Sequence, residues 1–211
     1  MSAERLEVDR PGVGMVELPW RTERLLLRPI VSDDVEAMLA FRSDPQVQWY
    51  CGSPAMTRAD VERRVAYNVH RMTPDTTEPG LALAVVDPTD GRMWGDALIG
   101  FTPSSAVGRV ATSEWEGVIG YTLHHDKQGQ GWGGEIADAL LRMAFGPLGL
   151  RRVRADVFAG NVASERLLRR HGLRLEGRSV QAVLGEDGTW WDDLHLAILR
   201  EEWLANRHGT E

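Results

Sequence analysis

The chain has 211 residues, 43% hydrophobic and 26% charged, which fits one domain with a full core and at most a small extension. Its net charge of -7 disfavours nucleic acid as a partner and suits either plain solubility or a cationic substrate such as an amine. Apolar runs of only a few residues fall far short of a membrane span, the charged start MSAERLEVDR lacks the apolar stretch of a secretory signal, and the single cysteine, Cys51, has no partner for an internal disulfide, so the expected location is the cytoplasm.

Residues 1–19 lack periodicity and hold Pro11, Gly12, Gly14 and Pro19, so an irregular N-terminal arm is expected before a single domain over 20–211. A first strand is expected over 22–28. Asp33-Asp34-Val35-Glu36 has capping-box spacing and opens a helix to about Arg42, which Asp44-Pro45 ends. Thr57-Arg58-Ala59-Asp60 opens a second helix, to about Met72, in the same way. Strands follow at 81–86 and 94–101, joined by the turn Asp87-Pro88-Thr89-Asp90-Gly91, and 103–112 reads as loop.

A fourth strand at 115–123 leads into a glycine-rich loop and a third helix over 135–145, where Ile136, Leu140 and Met143 share one face. Residues 152–158 alternate, with Val153, Ala155 and Val157 on one side of a strand. A fourth helix covers 162–170 and ends at Gly172. Strands at 173–184 and 189–199 flank the hairpin signal Gly185-Glu186-Asp187-Gly188. The eight tryptophans include the aromatic pairs Trp49-Tyr50 and Trp190-Trp191, which serve either core and interface or a pocket lining.

The segment Gln128-Gly129-Gln130-Gly131-Trp132-Gly133-Gly134 lies between a strand and a helix. Glycines permit positive φ and close approach to backbone amides, and a helix N-terminus adds unpaired donors and a positive dipole end. Together they suit a diphosphate, although a plain glycine-rich turn has the same composition. Lys-Ser/Thr does not follow Gly133, which excludes a P-loop; Gly129-x-Gly131-x-x-Gly134 has the glycine spacing of a dinucleotide fingerprint, but the next strand ends in Val157-Phe158 and not in an acid placed for a ribose.

The spacing Gln128-x-x-Gly131-x-Gly133 resembles the signature of the GNAT superfamily of CoA-dependent N-acyltransferases. Thr22-Glu23-Arg24-Leu25, Ile119-Gly120-Tyr121, Asn161-x-x-Ser164 with Gly172-Leu173, and Trp191-x-Asp193 look like its RimJ/RimL branch. The resemblance covers about residues 20–203. It implies an α/β (α+β) GNAT fold: a mixed, mostly antiparallel sheet of about seven strands, splayed between the fourth and fifth, with about four helices.

It further implies transfer of an acyl group, acetyl or alternatively succinyl, from acyl-CoA to a primary amine of a protein N-terminus or small molecule. No metal is expected, and a homodimer is among the expected states. By the same resemblance Tyr121, Thr122 and Leu123 bind the pantetheine arm through their backbone, one N–H polarising the thioester carbonyl. Amides from Gln128 through Gly129, Gln130, Gly131, Trp132 and Gly133 to Gly134 bind the pyrophosphate. Asn161 contacts pantetheine, and Ser164 protonates the departing thiolate; both also read as helix caps.

Glu116 is the candidate base, or a solvated strand-end charge; His124, Asp192, Asp193 and His195 are further candidates. Trp49, Tyr50, Trp190 and Trp191 are candidate acceptor contacts. Cys51 is remote in sequence from the CoA motifs and is not expected to act as a nucleophile. Two departures bear on the chemistry. Leu196, Ala197 and Ile198 stand where many GNAT enzymes have a catalytic tyrosine nearby, and Val183 stands where the branch has a glutamate. A non-catalytic CoA-binding module is the alternative these departures suggest; a nucleotide-binding enzyme is the weaker one.

Overall fold

The computed structural model describes residues 11–73, 76–107 and 112–208. Its strands are β1 (Trp20–Arg21), β2 (Leu26–Pro29), β3 (Gly80–Val86), β4 (Met93–Pro103), β5 (Trp115–Leu123), β6 (Arg152–Phe158), β7 (Arg174–Leu184) and β8 (Trp190–Leu199). They form one sheet in the order β1-β2-β3-β4-β5-β6-β8-β7. Every neighbouring pair is antiparallel except β5–β6. The described helices are α1 (Val35–Arg42), α2 (Pro45–Gln48), α3 (Arg58–Arg71), α4 (Trp132–Phe145), α5 (Val162–Arg170) and α6 (Arg200–His208).

Strand β3 explains the layering. All seven residues are buried, so both faces of the sheet are covered. Ala82, Ala84 and Val86 pack with Met38 and Phe41 of α1 and Val61 and Val65 of α3. Leu81, Leu83 and Val85 pack on the other side with Ile136, Leu140 and Met143 of α4. The period of two in the strand and the apolar stripe of α4 meet as their spacing predicts. Val16 is buried in this second cluster, with Val13 and Leu18 against it. Residues 1–10 of the expected arm, and 108–111 of the expected loop, lie outside the described residues.

Four expectations need correction. The first strand breaks in two, because the Thr22 amide donates to the Leu25 carbonyl at 3.0 Å and the Thr22 hydroxyl accepts from the Leu25 amide at 2.9 Å. A threonine that bonds its own backbone competes with the ladder and makes a turn. Asp44-Pro45 does not merely stop α1; Asp44 accepts from the Gln46 amide and Pro45 takes the first position of α2, where its missing N–H costs nothing. Helix α4 starts at Trp132, three residues early, because Gly131 at φ 85° serves as its N-cap. Helix α6 follows β8 without a break, its start held by the Leu199 amide donating to Glu202 at 2.8 Å.

Candidate active site

Strands β5 and β6 pair only at Glu116–Arg152, Gly117–Val153 and Val118–Arg154. Beyond Val118 they part. β5 stays paired to β4 as far as Leu123, and β6 to β8 as far as Phe158. The facing edges of 119–123 and 155–158 therefore border a gap rather than a ladder. A cavity of about 110 Å³ lies in it, walled by Gly120, Tyr121, Asp156, Asn161 and Ser164, among others. A larger cavity of about 400 Å³ adjoins it and runs to the glycine loop, past Thr122, Leu123, Gln128, Gly129, Gly131, Gly133 and Gly134.

The loop is built as an anion cradle. Gly129 and Gly131 have φ of 71° and 85°, a region L side chains avoid. Among the described residues, the amides of Gly129, Gln130, Gly131, Trp132 and Gly133 have no acceptor. The first satisfied amide is Gly134, which donates to the Gly131 carbonyl at 3.1 Å. Five such donors at the positive end of a fourteen-residue helix attract negative charge. The Gln128 side chain donates to the Leu123 carbonyl at 3.0 Å and ties the loop to the end of β5. Arg170, which the sequence reading missed, lines the same cavity from the end of α5.

The Thr22–Leu25 turn has a purpose visible only here. Thr22 Oγ1 and the Arg24 amide both donate to Glu135 Oε1, and Arg24 Nε donates to Oε2 at 2.8 Å. Arg24 also donates to the Gln130 carbonyl at 3.0 Å. The turn thus clamps the first turn of α4. Burial alone would raise the Glu135 carboxyl; the bonds from Thr22 and Arg24 outweigh it and hold it below the ordinary carboxylate range.

Asn161 is the N-cap of α5, its Oδ1 accepting from the Ser164 amide at 3.2 Å. The cap places both side chains on the walls of both cavities. Burial raises the pKa of the Tyr121 hydroxyl against a smaller lowering by the neighbouring Ser164, and both side chains line both cavities. That hydroxyl also explains Gly133, where a Cβ would lie 2.6 Å from Tyr121 Oη. The chain therefore brings a tyrosine hydroxyl to the site from β5, although Leu196, Ala197 and Ile198 supply none.

On the opposite face of β5, Thr122 Oγ1 lies 3.6 Å from Cys51 Sγ, and both line the larger cavity. Cys51, distant in sequence, is thus brought to the site by the turn after α2. Trp49, Tyr50 and Trp191 form an aromatic cluster with Phe158, ring centroids 5.5 to 6.5 Å apart. Trp49 and Trp191 border a cavity of about 170 Å³ that also touches Val183 and Glu186. Trp190 is 57% exposed and stands outside the cluster, because adjacent strand residues face opposite ways.

Asp156, another residue the sequence reading missed, accepts or shares a hydrogen bond with His195 Nδ1 at 2.9 Å; His195 Nε2 meets Ser179 Oγ at 2.8 Å. Burial and the nearby charge of Asp156 push the Asp193 carboxyl up, and its Oδ1 is buried without a partner among the described residues. Asp192 is instead occupied by Arg178 and the Gln181 amide. Glu116 is ion-paired to Arg151 and Arg152 at 3.0 and 3.2 Å and does not line either cavity. Six strand positions separate it from Thr122, about 20 Å of extended chain.

Gln130 and Trp132 also stay off the cavity walls. Gln130 bonds the Asp126 carbonyl through its side chain, and the Trp132 ring is buried beneath Lys127. Their contribution is confined to their amides. His124, His125 and Asp126 are the one described group with ligand-capable atoms within 4.8 Å of one another. Their atoms already serve Asp44 and the local turn.

A family model described as an acetyltransferase (GNAT) domain matches residues 24–174. The Bacillus subtilis protein YnaD, described as an uncharacterized N-acetyltransferase, is 29% identical over 182 residues, covering 86% of this chain and 97% of its own. A GNAT-family acetyltransferase structure from Bacillus anthracis matches with a TM-score of 0.69 at 25% identity, over 86% of this chain and 98% of that one. A spermidine N-acetyltransferase from Vibrio cholerae, solved with CoA and spermine, matches in fold with a TM-score of 0.69 at 18% identity, over 87% and 99%. The glycine cradle, the splayed strands and these likenesses agree: the chain belongs to the GNAT acetyltransferase family, whose members transfer an acyl group from acyl-CoA to an amine.

Proposed function

We propose that the protein transfers a short acyl group, acetyl or a close relative, from its CoA thioester to the primary amine of a peptide N-terminus or small molecule. One observation carries this reading: the unpaired edge of β5 and the unpartnered amides of the glycine loop open onto one continuous space. The amides from Gly129 to Gly133 and the Arg170 guanidinium take the pyrophosphate. The pantetheine arm lies along the edge of β5 beside Asn161. That places the thioester near Tyr121, Thr122 and Ser164, where a backbone N–H of residues 121–123 polarises the carbonyl.

The amine must lose a proton before it attacks, because an alkyl ammonium with a pKa near ~10 is mostly protonated at neutral pH. Asp156 lines the gap and, with the His195 imidazole bonded behind it, accepts that proton. The amine nitrogen bonds to the acyl carbon, the C–S bond breaks, the thiolate takes the Ser164 proton, and the proton that the new amide nitrogen sheds restores the Ser164 hydroxyl beside Tyr121. Trp49, Tyr50 and Trp191 receive the acceptor's apolar part.

A thiol-release screen of acetyl-CoA against peptide and small-amine panels tests the activity. CoA binding with no thiol release from any acceptor would replace this reading with a non-catalytic CoA-binding module. With an acceptor in hand, His195→Gln should lower kcat about a hundredfold and leave CoA affinity near wild type. An undiminished kcat removes the pair from the mechanism.

A further inference from the structure

Two guanidiniums and one carboxylate are packed together beside the acyl end of the larger cavity. Arg42 and Asp96 are both nearly fully buried, their side chains 4% and 6% exposed. Arg42 occupies both oxygens of Asp96, with Nε at 3.2 Å from Oδ2 and an Nη on Oδ1. Its remaining Nη donates to Gln48 Oε1 at 3.1 Å. Each Arg42 nitrogen therefore already has an acceptor. Arg64 approaches the same carboxylate only at 3.7 Å, and its Nε is enclosed without an acceptor among the described residues. Its side chain as a whole is 30% exposed.

The register of the sheet ties this cluster to the chemistry. Asp96 on β4 sits directly opposite Thr122 on β5, so their side chains share a face, with Cβ atoms about 5 Å apart. Thr122 touches Cys51 on the cavity wall. Two residues along the same face, Gly120 leaves the sheet bare. A Cβ there would meet only Leu98, at 3.8 Å. Space for a substrate group thus adjoins a buried cluster with one positive charge in excess. Burial and the neighbouring Arg42 lower the Arg64 pKa, so the surroundings penalise that surplus charge until an anion joins it.

We propose that Arg64, beside the Arg42–Asp96 pair, binds a carboxylate carried by one of the two substrates. The donor supplies it as the distal carboxylate of a dicarboxylic acyl-CoA, or the acceptor as the free carboxylate of an amino acid or peptide. The inference deepens the acyltransferase reading and rests on it for the position of the thioester. It also gives the fold a cation that composition alone could not place.

Equilibrium titration of the full chain reads the two sources apart, with no turnover required. In the donor arm, succinyl-CoA is compared with butyryl-CoA. In the acceptor arm, the CoA-saturated protein is titrated with amino acids and with their carboxamides. The carboxylate form should bind about tenfold tighter or better in one arm. In Arg64→Gln the ratio should fall towards one, and in Arg64→Lys part of it should return. Equal affinities in both arms of the wild-type protein overturn the proposal without any variant, as does a preference that survives Arg64→Gln. Absence of thiol release with every pair would count against the acyltransferase reading instead, and leaves these binding ratios to stand or fall alone.

Discussion

At the scale of single residues, Gly133 and Glu135 show how glycine-loop positions differ in kind. Gly129 and Gly131 are required by their backbone, at φ 71° and 85°. Gly133 has no positive φ; it is required by a neighbour, since a Cβ would lie 2.6 Å from Tyr121 Oη and 3.1 Å from Leu167 Cδ1. Gly133→Ala should therefore cost about 1–3 kcal/mol through overpacking and displace the Tyr121 hydroxyl from Ser164. Thermal melting and a drop in kcat larger than any loss of CoA affinity would show it; a wild-type kcat would mean that the hydroxyl plays no part in proton transfer.

Glu135 carries a pH signature. Its folded pKa is depressed, so its stabilisation is present above the ordinary glutamate value and is lost as pH falls through the folded value. Arg24 is half-exposed, which limits the clamp to about 1 kcal/mol. Glu135→Gln should be less stable than wild type at neutral pH and converge with it in acid. Denaturant midpoints measured across that range check the sign, and a constant gap between the two proteins would refute it.

At the scale of elements, the glycine loop was legible because its spacing is local: Gln128, Gly131 and Gly133 lie within six residues, between a strand and a helix. Strand β3 was legible for the same reason, through its apolar run, while the covering of both its faces came from the tertiary structure. The first strand was not. Thr22 and Leu25 read as strand residues until Glu135, more than a hundred positions away, gives the turn something to hold. Helix α6 lacks the cap or breaker that marks a start; its signal is half a capping box, Glu202 reaching back to the Leu199 amide. Helix α2 was hidden because Asp-Pro ends one helix and begins another equally well.

The side chains at the candidate site follow the same division. Asn161 and Ser164 were found by the N-x-x-S spacing that resembles the GNAT pattern, and the first caps the second. Asp156 and Arg170 were missed because alternating charges on a strand, or a basic residue in a last helical turn, look like solvated surface. Asp96 and Arg42 did carry a signal: each is a charge among apolar neighbours in an element whose period buries it, which demands a partner. The partner's identity is what the sequence withholds.

At the scale of the whole molecule, the splay of β5 from β6 divides the protein into an N-terminal part under α1 and α3 and a C-terminal part under α5 and α6. In the proposed function, CoA bridges the two by pairing with the open edge. Hydrogen exchange should slow in segments 119–123 and 129–133 when CoA is added, while β3, already buried on both faces, should change little. Saturation at about a hundred times Kd should add roughly 2.7 kcal/mol and raise Tm by roughly 5–10 °C for a chain of this size. Protection confined to the glycine loop, with none along β5, would mean that the pantetheine arm does not occupy the gap.

By itself the sequence determined an anion-suited loop, which its resemblance to the GNAT superfamily assigned to CoA, and most of the order of strands and helices. The loop and the elements are written in local spacings: glycines before a helix, caps three residues apart, apolar positions two or four apart. The tertiary structure alone decided which charges meet. It set Glu116 between two arginines and away from the cavity, drew Cys51 and Tyr50 onto its wall, and paired Asp156 with His195. It also set Arg64 3.7 Å from Asp96, whose carboxylate Arg42 already holds. These outcomes depend on strand register and on which helix covers which face, and side chains far apart in sequence acquire their chemistry only when those long-range contacts are made.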